Sequence, residues 1–470
     1  MSAPAAEQSI RALVSRLETA GALVRIVKPV DPRSNLAALA FQARTRLGKA
    51  TWFESPFGHF GWHVAAQLLA DRTQWAHAFG LDGAALLFTL RERLKARQTP
   101  VDGASAPVKA VRATGAQVDL AKLPAVLTCA DDPGRRVIGV ALARDPETGR
   151  ILPSLADLGV LGRDRASVGW LSPALRELHA RARRAGRALP IAVTVGGPPA
   201  LYLAAALAQF MPGADLGLAG GLLDAPLELA HLDGLDVPVP AHAELAIGGT
   251  LAADETVDLA PRGGLLGLYA AERAAPVLQA AALLHRVNPV HYAMQVGAPP
   301  NDLAGTMALA IEILVAEHVR NIEGGLDLID VRCHPAGGDL VLAVKLRPRV
   351  EGQSKTALIG ALSGPAFWPK LAIGVDEDID AGDLRDVFWS AASRTHAETD
   401  VGMIDGVRAH ADDAASPFDG DGASGERIGT RWFIDSTMPP LTQPERRLSF
   451  ARATPKNLEA TPLADFLPPG

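Results

Sequence analysis

The sequence predicts an α/β (α+β) protein with an N-terminal α/β unit, a β-rich centre and a C-terminal α/β unit. Helical and strand-like segments alternate over the first hundred residues, and short β-rich runs broken by Gly, Pro and Asp fill residues 108–291. A long amphipathic segment, Gly305–Asn321, then leads into a second α/β pattern. The length of 470 residues suits two or three cores, and 48% hydrophobic with 21% charged residues indicates a globular chain.

The first unit is predicted to span residues 1–107. Ser9–Ala20 carries apolar residues at helical spacing and ends at Gly21, and the strand-like run Ala22–Val27 follows it. Ala37–Leu47 reads as a second helix. The connector Pro100–Pro107 is rich in Pro, Ala and Gly, which marks the first boundary.

The central unit is predicted to span residues 108–300. Val137–Arg144 reads as a strand that ends in the DPETG turn, and Ile191–Val195 passes through GGPP into an Ala/Leu-rich helix. Leu245–Leu251 and Pro276–His285 are further strand candidates, although the end of the latter is also compatible with a helix. This pattern predicts a β-barrel-like centre with inserted helices.

The rest of the chain is predicted to form a linking helix over residues 304–322, an α/β unit over 323–450 and a tail over 451–470. Within the α/β unit, strand-like runs alternate with a helix pattern. Residues 409–429 are rich in Asp, Gly and Ser and predict a mobile loop.

Charge and composition exclude several classes of protein. The net charge of -6 and the lack of a long Lys/Arg run argue against nucleic-acid binding. No apolar run reaches the length of a membrane span, and the N-terminus has no signal-peptide pattern, so a cytoplasmic protein is expected. Cys129 and Cys333 lie far apart, without a CxxC pair, which argues against a disulfide framework and a thiolate zinc site. Asp131, Asp132, Arg135 and Arg136 are predicted to form a charged loop.

Six blocks of sequence, in order along the chain, carry a family resemblance. They are TWFESPFGHFGWHVAAQLLADRTQWAHAFGL, TCADDPGRRVIGVALARDPETGR, IAVTVGGPPALYLAAAL, GGLLDAPLELAHLDGLDVPVPAHAELAIGG, KLAIGVDEDIDAGDLRDVFWSAASR and FIDSTMPP. Together they resemble the UbiD family of carboxy-lyases. The resemblance implies a central split β-barrel like that of flavin reductases and a C-terminal α/β domain used for oligomerisation.

The resemblance also implies a chemistry. Active members of the family decarboxylate aromatic or α,β-unsaturated acids with prenylated FMN, which absorbs the electrons left when carbon dioxide departs. An Arg–Glu pair and a second Glu handle the substrate carboxylate and protons. Asn, His and Glu hold a divalent metal on the flavin phosphate, and a Lys adds a further positive charge there.

This sequence departs from the family at the catalytic positions. The two family carboxylates, in E-G-P-F-G-E, fall on Leu259 and Gly264 of LAPRGG. The family Arg falls on Asp157 or Leu158, depending on the register chosen after DPETG. Arg262, inside the altered motif, becomes a candidate pocket residue instead.

The cofactor positions depart as well. The family's metal-binding Asn falls on Leu152 or Pro153, its metal-binding His near Arg176, and its metal-binding Glu near Asp215. Of these positions, only Asp215 keeps the ligand type of the family, a carboxylate. The phosphate-directed Lys falls near Gly364. The resemblance therefore places the cofactor contacts at Arg176, Asp215 and Gly364 and the metal contact at Asp215. Because most of the family's ligand types are missing at these positions, we expect no flavin cofactor for this chain.

We therefore expect a non-catalytic or accessory subunit in aromatic or unsaturated carboxylic acid metabolism, in a homo-oligomer or with a second UbiD-like chain. That hypothesis predicts that Leu158, Leu259 and Leu265 fill the pocket that is the active site in the family. Two alternatives stay open: flavin-independent chemistry on a small aromatic carboxylate, using polar groups of the same pocket, or ordinary decarboxylation with prenylated FMN and a divalent metal. An open pocket lined by Asp and Arg would favour new chemistry, for which the candidate groups are Asp157, Arg176, Asp215 and Arg262.

Overall fold

The N-terminal unit packs helices against a small sheet. The computed structural model describes residues 8–232, 234–322, 326–418, 427–457 and 460–466. The elements of this unit are α1 (Ile10–Thr19), β1 (Leu23–Ile26), α2 (Leu36–Leu47), β2 (Ala50–Phe53), β3 (His63–Ala66), α3 (Arg72–Phe79) and α4 (Leu86–Lys95). Ser9 caps α1 by accepting the Arg11 N–H, as its hydroxyl and extended backbone favour. A strand from later in the chain, β14 (Val290–Tyr292), completes the sheet in the order β1-β2-β3-β14.

The central unit is a barrel with helices inserted between its strands. Its elements are β4 (Val101–Asp102), β5 (Val111–Thr114), β6 (Arg136–Arg144), β7 (Ile151–Val160), β8 (Arg165–Gly169), α5 (Pro173–Arg184), β9 (Leu189–Val195), α6 (Pro199–Leu207), α7 (Leu216–Leu223), β10 (Glu228–Leu232), β11 (Leu235–Pro240), β12 (Leu245–Gly263) and β13 (Tyr269–His285). The large sheet has the order β12-β9-β6-β7-β8-β13-β5, and a ladder between β12 and β13 closes six of these strands into a barrel. The predicted barrel is confirmed, while its description as a split barrel remains a prediction.

The hairpin of β12 and β13 is longer than the sequence pattern indicates. These strands run for 19 and 17 residues, so the possible helix at the end of the predicted 276–285 strand is wrong. Pairing explains the difference, because β13 bonds to β12 along one edge and to β8 and β5 along the other. Gly249 allows the close contact, since a Cβ there would lie 2.0 Å from the Gln279 carbonyl oxygen.

The linking helix α8 (Asp302–Ile322) is buried along most of its length and begins at a buried carboxylate. Asp302 accepts hydrogen bonds from the backbone N–H groups of Gln67, Leu69 and Gln295, at 2.8 to 2.9 Å. The Tyr292 hydroxyl donates a fourth, at 2.8 Å. Buried carboxylates need such donors, and these four tie the helix to the N-terminal unit.

The C-terminal unit is a mixed sheet flanked by helices. Its elements are β15 (Asp327–Cys333), β16 (Val341–Arg347), α9 (Gln353–Ser363), β17 (Leu371–Val375), α10 (Leu384–Arg394), α11 (Ala397–Asp400), β18 (Val401–Arg408), β19 (Ile428–Ser436) and α12 (Pro444–Arg447). The strand order is β15-β16-β17-β19-β18, with β16, β17 and β19 parallel. Of the predicted mobile loop, residues 419–426 lie outside the described part of the chain. Among the described helices, none combines the length and apolar composition needed to cross a bilayer.

Candidate active site

A cavity of about 430 Å³ lies where the barrel, α8 and the C-terminal unit meet. We call it the inter-unit cavity. The barrel contributes Trp170, Arg262 and Glu272 to its wall, and α8 contributes Leu303 and Met307. The C-terminal unit adds residues that precede β17 and residues at or just after the end of β18, among them Phe367, Trp368, Arg408 and His410. The volume lies in the range of small-molecule sites.

A fully buried carboxylate, Asp157 on β7, organises the barrel side of the inter-unit cavity. Arg136, at the start of β6, forms a two-pronged ion pair with it, in which the Arg Nε donates to Oδ1 at 3.2 Å. The Nε of Arg262 lies 3.1 Å from Oδ2 on the other side. The buried Asp157 carboxylate therefore forms ion pairs with two guanidinium groups. Buried cations need such a partner, because an unpaired charge is costly where water is excluded.

Arg136 also fixes the end of strand β12. Its Nη1 donates to the Gly263 carbonyl at 2.8 Å, and the Gly263 N–H donates to Asp132 at 2.7 Å. Arg136 and Asp132 are only 3% and 8% exposed. Asp132 lies in the predicted loop but is buried there, whereas Arg136 is the first residue of β6, so the loop prediction is wrong for Arg136. Asp131 is exposed, as a charged loop residue would be.

Arg262 presents an unsatisfied donor. Its side chain is buried, and its Nη2 is without a hydrogen-bond partner in the described part of the chain. The same Nη2 lies 3.9 Å from Oε2 of Glu272, which also lines the cavity. Burial lowers the pKa of Arg262, and Asp157 opposes that shift. An unpaired buried donor is costly, so a cavity ligand that accepts from Nη2 would be stabilised.

Glu272 on β13 is the acidic neighbour of that donor. Burial raises the pKa of this carboxyl, against the opposing effects of Arg262 and of a hydrogen bond with the Trp170 backbone. The pair fits because residue 169 is Gly: a Cβ there would lie 2.4 Å from Arg262 Nη2 and 2.7 Å from Glu272 Oε2. Gly169 faces Asp157 across the β7–β8 ladder, which brings all four residues to one place.

Trp170 forms the aromatic wall next to this pair. Its backbone is in the left-handed region, at φ 64°, which is rare for a bulky residue and marks local strain. Its carbonyl accepts from Gln209 Nε2 at 3.0 Å, and its ring lies against the Arg136 guanidinium at 5.2 Å. Trp368, from the C-terminal unit, provides a second aromatic surface and packs edge-on against His410.

The predicted catalytic positions are divided between the core and the cavity. Leu158 is buried in the main core, and Leu259 is half-buried on β12 without lining the cavity. Gly264 and Leu265 both line it, and so do the candidate residues Arg176 and Arg262.

Two predicted cofactor positions lie away from the inter-unit cavity. Asp215 lies 2.6 Å from Arg150 Nε and 3.3 Å from Arg97 Nη1. Gly364 follows α9 and packs on His318, whose ring would lie 2.7 Å from a Cβ at residue 364. Neither residue lines the cavity. The structure therefore does not group them with Arg176.

Glu272 and Trp170 were not identified from the sequence. Glu272 lies directly opposite Leu259 in the β12–β13 ladder. A carboxylate is therefore present on the strand next to Leu259, the position where the family resemblance places an acid. That pairing depends on a register with several bulges, which hydrophobic alternation does not reveal. A charged residue in the otherwise small-residue run AAERAAP was the available signal.

Comparison with known proteins shows the family. The chain matches all three domain models of 3-octaprenyl-4-hydroxybenzoate carboxy-lyase, UbiD. The N-terminal domain matches residues 14–94, the Rift-related domain residues 99–299 and the C-terminal domain residues 305–435. The three-unit fold and these matches define a UbiD-type protein, and the chain belongs to the UbiD family of carboxy-lyases.

Solved structures of the family are similar over nearly the whole chain. The UbiD-class enzyme HmfF from Pelotomaculum thermopropionicum, in complex with FMN, is 30% identical, with coverage of 98% of this chain and 100% of that one and a TM-score of 0.87. An evolved dimeric form of that enzyme, in complex with prFMN, is 28% identical over the same coverages, with a TM-score of 0.83. The 3,4-dihydroxybenzoic acid decarboxylase of Klebsiella pneumoniae is 26% identical, with coverages of 98% and 99% and a TM-score of 0.85.

The family cofactor was tested against the side chains of this chain. The positions assigned to the metal are apolar at Leu152 and Pro153, cationic at Arg176, and already paired with arginines at Asp215. In the described ranges, no group of three His, Cys, Asp or Glu side chains is placed to hold a metal ion. The residues therefore do not fit the metal-bridged end of prenylated FMN, and we derive no step through it. The expectation of no flavin gains no support from the comparisons, because two of the similar structures contain FMN or prFMN.

Proposed function

We propose that this chain binds a small aromatic carboxylate in the inter-unit cavity and acts on it as a carboxy-lyase. One observation carries the proposal: Arg262, whose buried Nη2 has no hydrogen-bond partner among the described residues, lines a cavity with aromatic walls. The ion pair between the Arg262 Nε and Asp157 fixes the position of the guanidinium, so the group is preorganised to bind an anion.

The physical chemistry of the wall matches an aromatic acid. Arg binds carboxylates through directed, charge-assisted hydrogen bonds, which are stronger where water is excluded. Trp170 and Trp368 offer flat apolar surfaces for a ring, and offset or edge-on contacts with aromatic rings are favourable. An anion at Arg262 would satisfy its free donor, and the ring would cover apolar surface.

The open cavity favours this function over a silent subunit. A silent subunit was expected to close the pocket with Leu158, Leu259 and Leu265. Of these three, only Leu265 lines the inter-unit cavity, which keeps a volume of about 430 Å³ and also contains Arg176 and Glu272.

Binding is tested first, with 3,4-dihydroxybenzoate as the probe, since one similar structure is a decarboxylase of that acid. Isothermal titration should show one site per chain, and Arg262→Met should weaken binding at least tenfold, or about 1.4 kcal/mol. Arg273→Met is the matched control, because Arg273 is exposed on the same hairpin and does not line the cavity. Equal affinity of both variants and the unmodified chain would contradict the proposed anchor.

Conversion is tested separately. The chain should be produced with and without a prenyl-FMN-producing partner, and catechol and carbon dioxide should be measured after incubation with 3,4-dihydroxybenzoate. Product above that of the Arg262→Met variant supports a carboxy-lyase. Binding without product in either preparation would favour the accessory hypothesis.

We further propose that the chain assembles as a homo-oligomer or with a second UbiD-like chain. One similar enzyme exists in an evolved dimeric form, which supports assembly in the family. Light scattering of the purified chain and of native-host extracts separates the two forms of assembly.

A further inference from the structure

We infer that Glu272 is the proton donor of the inter-unit cavity, acting on the ring carbon whose carboxylate is bound by Arg262. The inference rests on the proposed function and adds a catalytic residue to it. It assigns the acid role to a residue of β13 rather than to Leu259 or Gly264, where the family acids would fall.

The geometry places donor and anchor on one wall. Oε2 of Glu272 and Nη2 of Arg262 are 3.9 Å apart, and both side chains line the cavity. The space that a Gly169 Cβ would occupy is filled by these two groups. A carboxylate held at Nη2 would therefore have its attached ring carbon within reach of a carboxyl oxygen, as proton transfer requires.

The surroundings keep this carboxyl protonated more readily than an ordinary Glu. Burial raises its pKa, and the nearby Asp157 acts in the same direction. Arg262, the Trp170 backbone and Arg176 act in the opposite direction. The charged or titratable groups on the C-terminal side of the cavity are Arg408, His410, Asp412 and Arg427.

A bound anion strengthens the protonated state. A substrate carboxylate at Arg262 neutralises the main cation that lowers the pKa of Glu272 and adds a negative charge beside it. Binding should therefore take up a proton wherever free Glu272 is ionised. Affinity should fall as the pH rises, because more of the free protein must then be protonated on binding.

The reaction balances without an electron sink for electron-rich rings. The Glu272 proton forms a new C–H bond at the ring carbon that carries the carboxylate. The C–C bond to the carboxylate then breaks, its electron pair returns to the ring, and carbon dioxide leaves. Water reprotonates Glu272, whose side chain keeps about a third of its surface exposed. Hydroxybenzoates are the class of substrate whose ring carbons accept a proton in this way.

The test measures proton uptake and conversion in the same variants. Calorimetric titration of 3,4-dihydroxybenzoate in phosphate and in Tris, which differ in ionisation enthalpy, reports protons taken up per bound ligand. The unmodified chain should take up a fraction of a proton at pH 7, and Glu272→Gln should bind without uptake. Conversion should fall a hundredfold or more in Glu272→Gln through kcat rather than KM, as expected for a lost general acid.

Two further variants control the result. Glu272→Asp keeps a carboxyl one methylene shorter and should restore part of the conversion and its pH dependence. Glu177→Gln changes an exposed glutamate of α5 and should behave as the unmodified chain. Equal conversion by the Glu272→Gln variant and the unmodified chain overturns the inference, and so does proton uptake that persists in Glu272→Gln.

The outcomes separate this inference from the proposed function. A lack of binding to the unmodified chain overturns both. Binding through Arg262 without proton uptake, or without any conversion, leaves the binding site intact and overturns the role of Glu272 alone.

Discussion

Asp157 is a buried acid at or next to the position where the family resemblance places an Arg. The family resemblance places an Arg at Asp157 or Leu158, and this chain has instead a buried acid there, with Arg136 and Arg262 on either side. The sequence locates the altered position, but the two partners are 21 residues earlier and 105 residues later. Only the folded barrel shows that they share one carboxylate.

Removing that carboxylate's charge should destabilise the barrel. Asp157→Asn leaves two buried guanidinium groups without their shared anion, and breaking a buried pair costs about 3–5 kcal/mol. Urea unfolding followed by circular dichroism measures the loss. Asp254→Asn is the control, since Asp254 is exposed on β12 and should change stability by no more than about 0.5 kcal/mol. A loss below about 1 kcal/mol for Asp157→Asn would show that Asp157 is not the anchor of this network.

Gly169→Ala is expected to separate the Arg262–Glu272 pair while keeping the fold. The added Cβ would meet the ends of two flexible side chains at 2.4 and 2.7 Å, and these can move without shifting the backbone. The affinity for 3,4-dihydroxybenzoate should fall about tenfold, measured by titration, with a change in unfolding free energy near 1 kcal/mol. Gly162→Ala introduces the same methyl group into open space and should bind like the unmodified chain. Unchanged affinity in Gly169→Ala would mean that the pair does not contact the ligand.

At the scale of elements, the sequence predicts the order of the units better than the lengths and pairings of strands. The helices near residues 10 and 37 and the linking helix lie where periodicity predicts them, because burial of one face produces that periodicity. The hairpin of β12 and β13 extends well beyond the predicted strands, since its outer half is partly exposed and small-residue-rich. Its register, which places Glu272 opposite Leu259, depends on bulges that composition does not encode.

Glu312 on α8 should give the protein a pH-dependent stability. Burial raises its pKa to about 7, against the opposing effect of Arg72. Because the folded pKa lies above the unfolded value near 4.5, the stabilisation is fully present below pH 4.5 and is lost as the pH rises through about 7. The full change amounts to about 3 kcal/mol for a shift of this size.

Glu312→Gln tests this linkage. The variant cannot ionise, so its unfolding free energy should lack the fall between about pH 4.5 and 7 that is expected of the unmodified chain in urea titrations. Glu317→Gln changes a more exposed glutamate on the same helix and should keep the original pH dependence. If the Glu312→Gln profile parallels that of the unmodified chain, other groups set the pH dependence.

At the scale of the whole molecule, the inter-unit cavity belongs to no single unit. Its walls come from the barrel, from α8 and from the segments that flank β17 and β18. Sequence patterns identify each unit separately, but the space between them depends on how α8 packs them together. For that reason Arg262 was recognisable as a candidate, whereas its aromatic surroundings in the C-terminal unit were not.

A ligand that fills the inter-unit cavity should therefore stabilise the barrel and the C-terminal unit together. Benzoate at a hundred times its dissociation constant should add about 2.7 kcal/mol to the stability of the folded state. Differential scanning calorimetry should show all unfolding transitions moving to higher temperature, because the cavity that the ring would fill is lined by Trp170 of the barrel and Trp368 of the C-terminal unit.

Benzyl alcohol separates the contribution of charge from that of the ring. It has a similar size and ring but no carboxylate, so it leaves the free donor of Arg262 without an anion and should shift the transitions much less. Equal shifts with both compounds would mean that apolar burial alone drives binding. A shift confined to one transition would mean that the ligand touches one unit, in which case the aromatic surface from the C-terminal unit is not part of the site.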